Sequence, residues 1–159
     1  MKRVITLPTR DERAVSTTVT YVLTIAITTI LLSGLITAAG GLVGGQQEQA
    51  TRNELGVVGE RIAGELTSVD HLVQAGTNPD VRLRTSHPRR IVGAPYSVEL
   101  KTGGENPCTH PQCLVLSTAD VTVTVPFDNA TAVSPGRVVG GDVVIEYDRT
   151  NETLVLGEP

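Results

Sequence analysis

The stretch Arg13–Gly45 reads RAVSTTVTYVLTIAITTILLSGLITAAGGLVGG and carries no charge after its first residue. A bilayer core of about 30 Å is crossed by about 20 apolar residues in a helix, so residues 15–45 are long enough to span one. The run is rich in threonine (Thr17, Thr18, Thr20, Thr24, Thr28, Thr29 and Thr37). Their hydroxyls can bond the carbonyl of the preceding turn and so survive among lipid tails. Ser33, Gly34, Ala38, Ala39, Gly40 and Gly41 are small enough to let another helix approach closely. Gly40, Gly41, Gly44 and Gly45 are also expected to bend or fray the helix.

Lys2, Arg3, Arg10 and Arg13 precede the run. The positive-inside tendency then leaves the N-terminus in the cytoplasm and everything after the run outside. A secretory signal peptide cleaved near Thr37–Gly40, within ITAAG, is a competing reading, but its apolar region would span only about 7 to 15 residues. A plain single-pass anchor fits the same residues.

Beyond Gly45 the chain continues QQEQATRNELGVVGERIAGELTSVDHLVQAG, residues 46–76. Leu55, Val58, Ile62, Leu66, Val69 and Leu72 recur at three-and-four spacing, predicting an amphipathic helix with one apolar stripe. Arg52, Glu54, Glu60, Arg61 and Glu65 occupy its polar remainder. If it continues the apolar run, residues 15–75 form one helix of roughly 90 Å at about 1.5 Å per residue. Gly76 and Asn78-Pro79 supply its stop.

The layout resembles that of archaeal, and in particular haloarchaeal, type IV pilin-like proteins with class III signal peptides. Its parts are a short charged leader, a basic residue followed by alanine, an immediate apolar run, an amphipathic continuation and a β-rich head. DERAVS at Asp11–Ser16 looks like the processing site, with Arg13, Ala14 and Val15 around the cut. The resemblance implies that a prepilin peptidase cuts after Ala14, so Val15 begins the mature chain and the helix is kept. It also implies packing against other pilin-like subunits through that helix, and a place in a pilus. Two positions depart from the family: Thr17 stands where haloarchaeal pilins often have proline, and Val19 is not the glutamate of bacterial pilins. Both point to a minor or pilin-like member rather than a major filament subunit.

With three Tyr, one Phe and no Trp in 159 residues, the head must build its core from Val, Leu and Ile, which favours β structure. The net charge of −4 and the excess of arginine over Lys2 and Lys101 suit a high-salt proteome. A nucleic-acid partner is not expected: RLRTSHPRR (Arg82–Arg90) is a short basic cluster in an acidic domain, without interleaved aromatics.

From Val81 onward the apolar period changes to two. Tyr96, Val98 and Leu100 alternate with polar residues, as do Val121, Val123 and Val125. Further strands are expected at Val81–Thr85, Cys113–Thr118, Arg137–Tyr147 and Thr153–Leu156, with a bulge at Val138–Gly141 and a hairpin turning at Asp148–Asn151. The fold class expected is α+β: a long N-terminal transmembrane and amphipathic helix packed on one small antiparallel sheet, as in pilins. A β-sandwich with the helix standing free is the alternative.

GGENPCTHPQCLVL holds both cysteines, Cys108 and Cys113, with His110 between them. One reading is a metal site completed by His71, His87 or a carboxylate. A second is a pair of free thiols, and a third is a disulfide stiffening a hairpin loop, which export to an oxidising compartment favours. Asn129-Ala130-Thr131 and Asn151-Glu152-Thr153 are glycosylation triplets in predicted turns of an exported domain, where glycan attachment is expected first at Asn129; the plainer reading is that both are ordinary turn asparagines. No nucleophile elbow, phosphate loop, dinucleotide fingerprint or zinc-protease helix is present, so the reading includes no catalytic residue, cofactor or metal. His71, near the end of the amphipathic helix, is read as a dipole partner.

The organisation expected is a leader at 1–14, a transmembrane helix at 15–45, an amphipathic helix at 46–76 and an extracellular head at 77–159. The expected function is a cell-surface structural protein, held in the lipid bilayer and then built into or onto a filament. The rival is a non-polymerising single-pass envelope protein whose head binds a surface partner.

Overall fold

The computed structural model describes residues 11–159 apart from residues 105 and 106. The first ten positions of the expected leader lie outside the described residues. Two compact units divide between Gly45 and Gln46, and helix α1 (Asp11–Ala75) contributes to both.

In the first unit α1 passes through Gly40, Gly41, Gly44 and Gly45 as regular helix, so the expected bending points are not breaks. Glycine costs about 1 kcal/mol of helix propensity relative to alanine, but it keeps its N–H and C=O, and the hydrogen-bond ladder still closes.

In the second unit one face of α1 is buried: Leu55, Val58, Ile62, Ala63, Leu66, Val69 and Val73. The stripe is the expected one except at its end, where Leu72 is 59% exposed and Val73 takes the core position. Seven residues beyond Leu66, a helix of 3.6 residues per turn returns to the same side, so the stripe ends on Val73. The helix stops where the Gly76 N–H donates to Val73 O at 3.3 Å.

Among the described residues, ten strands follow α1. One four-stranded sheet has the order β1 (Arg82–Ser86), β9 (Asp142–Asp148), β10 (Thr153–Gly157) and β7 (Ala132–Val133). The other has the order β6 (Thr122–Pro126), β5 (Gln112–Ser117), β4 (Ser97–Thr102) and β8 (Gly136–Val139). A two-stranded ribbon joins β2 (Arg90–Ile91) to β3 (Ala94–Pro95). All pairings are antiparallel except β10 with β7, which is parallel.

The architecture is α+β, with one long apolar N-terminal helix and small, mainly antiparallel sheets. The head nonetheless departs from the one-sheet expectation. Both four-stranded sheets send residues into a core shared with the helix, among them Val98, Leu100, Leu114 and Leu116 from one and Val143, Ile145, Leu154 and Leu156 from the other. The free-standing helix of the sandwich alternative is equally absent, because Leu55, Ile62, Leu66 and Val69 are fully buried. A stripe this wide offers contact to more than one short sheet.

The single bulged strand expected at Arg137–Tyr147 is two strands in different sheets. The chain crosses between them at Gly140-Gly141. Gly140 donates its N–H to Tyr96 O at 2.8 Å, and a Cβ on it would overlap the Tyr96 ring. Gly141 has φ +132°, a conformation open essentially to glycine. Strands β2, β3 and β7 escaped the sequence reading because two residues cannot display a period.

Candidate functional site

The apolar part of α1 qualifies by length and composition to cross a membrane, and none of its most apolar window is buried. Val19, Tyr21, Val22, Leu23, Ile30, Leu31, Leu35 and Ile36 are all exposed. A surface this apolar, on every side of a helix, is compatible with a membrane.

Five of its hydroxyls are satisfied within the helix itself. Thr24 donates to Thr20 O at 2.7 Å, Thr28 to Thr24 O at 2.6 Å, Thr29 to Ile25 O at 2.8 Å, Ser33 to Thr29 O at 2.8 Å and Thr37 to Ser33 O at 3.0 Å. Each bond removes a polar group that would otherwise be costly in hydrocarbon. Gly34, Gly40, Gly41, Gly44 and Gly45 open onto free space. The backbone of Arg13, Ala14 and Val15 lies within α1.

On the head, Cys108 and Cys113 are joined by a disulfide with Cα atoms 5.9 Å apart. Cys113 is the second residue of strand β5, whose run Cys113–Leu116 is buried on both faces. Leu114 and Leu116 enter the main core, while Cys113 and Val115 form a second cluster with Cys108. The bridge therefore folds the loop back as a cover over the outer face of the sheet. His110 is 3.8 Å from Asp128 across an exposed surface. Among the described residues, no group of three or more His, Cys, Asp or Glu side chains is placed to hold a metal ion.

The two glycosylation triplets sit in different environments. Asn151 is exposed and its Nδ2 donates to Asp148 Oδ2 at 2.6 Å. Asn129 lies against α1: its Oδ1 accepts from the Thr67 hydroxyl at 3.3 Å, and its Nδ2 is buried without a hydrogen-bond partner among the described residues.

Residues 10–157 match the model of a Family of unknown function (DUF7266). The chain belongs to that family. Comparison with curated proteins and with solved structures gives no match for it.

The head of this DUF7266 protein is also tied to α1 by polar contacts that hydrophobic periodicity does not reveal. Asp70 accepts the N–H groups of Ala130 and Thr131, both at 2.9 Å. Burial, the largest influence, pushes its carboxyl upward, but the Thr131 hydroxyl, these two amides and the Gln74 side chain outweigh it and hold the pKa below the ordinary aspartate value. The His87 side chain is fully buried, with Nε2 3.1 Å from Glu65 Oε2 and 3.1 Å from Thr85 Oγ1. His71, by contrast, is exposed and precedes the last turn of α1. The available signal for Asp70 was a carboxylate at position i+4 from the stripe residue Leu66, on the buried side of the helix.

Proposed function

We propose that this DUF7266 protein is a pilin-like cell-surface structural protein, anchored in the membrane by the first part of α1 before that helix is built into or onto a filament. One helix then has two uses. Its apolar part partitions into lipid and later packs against equivalent helices, while its amphipathic part serves as the core of an extracellular head. The observation that carries the reading is a helix whose apolar side chains are exposed around its whole circumference while the hydroxyls of Thr24, Thr28, Thr29, Ser33 and Thr37 bond to its own backbone. Such a surface is stable only in lipid or among helices like itself. The DERAVS motif, the β-rich head and the bridged cysteines are consistent with export by the pilin route.

The test is the mass of the mature N-terminus of protein isolated from its own envelope. A chain beginning at Val15 supports the reading. A chain retaining Met1 or Arg13 favours the non-polymerising single-pass protein, and one beginning after Ala39 removes the anchor and defeats both.

A further inference from the structure

We infer that Asn151 is a site of N-linked glycan attachment and that Asn129 is not. The inference rests on the extracellular placement of the head proposed above. N-linked transfer joins the amide Nδ2 to C1 of a sugar carried on a polyisoprenyl phosphate or diphosphate. The C1–N bond forms, the C1–O bond to phosphate breaks with its electron pair leaving on the phosphate, and one proton leaves Nδ2. The product must then be compatible with the folded head, and the two triplets differ in this respect.

Asn151 projects from the turn between β9 and β10. Asp148 organises that turn, accepting from the Thr150 N–H at 2.8 Å and from Asn151 Nδ2 at 2.6 Å. An amide nitrogen carries two hydrogens. One can keep the bond to Asp148 while the other is replaced by the sugar, so the glycan points into solvent and the turn survives.

Asn129 offers no such room. Its Nδ2 is buried, its Oδ1 faces Thr67, and the next two amides are held by Asp70. The hydroxyl of its triplet, on Thr131, accepts from Gln74 at 3.1 Å. A sugar on Asn129 would force residues 129–131 off the helix and break these contacts together. Thr153 Oγ1, the hydroxyl of the Asn151 triplet, is buried once β10 has formed, so transfer precedes closure of the β9–β10 hairpin. Folding then accommodates the modification at Asn151 alone.

The test is peptide mass mapping, without reduction, of protein purified from its native envelope, alongside three variants. The expected result is added sugar mass on the Asn151 peptide, an Asn129 peptide at its unmodified mass, and a bridged Cys108–Cys113 pair. Asn151→Gln and Thr153→Val should each remove all of the added mass, and Asn129→Gln should remove none. An unmodified Asn151 in protein whose cysteines are bridged overturns the inference while leaving the extracellular placement intact, as does a glycan on Asn129. An unmodified Asn151 with both thiols free overturns the placement and the inference with it.

Discussion

Val92 and Gly140 show how single backbone positions shape the head. Val92 begins the turn between β2 and β3 with φ +48°, followed by Gly93 at +81°. Two consecutive positive φ values suit an Asn-Gly pair, whereas a β-branched residue there is strained by about 1 to 3 kcal/mol. Val92→Asn is therefore expected to stabilise the protein by about 1 kcal/mol, read as a higher denaturant midpoint in detergent solution. Gly140→Ala acts in the opposite direction, because its methyl group would overlap the buried Tyr96 ring. Displacing that ring is expected to cost about 1 to 3 kcal/mol, seen as a lower melting temperature. The glycine pair was visible in the sequence, but not the ring against which it packs.

At the scale of elements, α1 is the part most legible before folding. Its period and its uncharged run are local properties, and the buried stripe emerged as expected from Leu55 to Val69. Leu66 is fully buried, so Leu66→Ala is expected to cost about 3 kcal/mol. Leu66→Asp places an unpaired charge in the core and should abolish the cooperative unfolding transition of the head. An unchanged melting profile for Leu66→Asp would contradict the packing. In the apolar part, Ile30 is 71% exposed. Ile30→Arg carries a penalty of about 3 kcal/mol at a bilayer centre. The carbonate-resistant membrane fraction should fall, while the unfolding midpoint of the head stays unchanged.

For the molecule as a whole, acid sensitivity follows from carboxylates that the folded chain holds in their charged form. Asp70 is kept below its ordinary value by the balance described above. Asp142 is lowered first by the Ser86 hydroxyl, and Asp148 first by the Asn151 side chain. A carboxylate whose folded pKa lies below the unfolded one contributes its full stability above the unfolded value of about 3.9. That contribution declines as pH falls from there to the folded value and is gone below it. Stability should thus be flat through neutral pH and drop under about pH 4. Asp70→Asn should be less stable at pH 7 and lose less on acidification, as followed by melting temperature against pH.

The sequence by itself determined the long apolar helix, the amphipathic stripe that continues it and the β character of the head, because each is written in the spacing of neighbouring residues. It also located the cysteine pair, whose five-residue separation is local. Only the tertiary structure decided that residues 137–147 divide between two sheets, that Val73 rather than Leu72 closes the stripe, and that Asp70 and Glu65 tie the helix to distant segments. The physical reason is that periodicity records which side of an element is apolar, while partner choice depends on contacts between residues remote in the chain. Asp70 reaches Thr131 across 61 positions, a relation that no local pattern encodes.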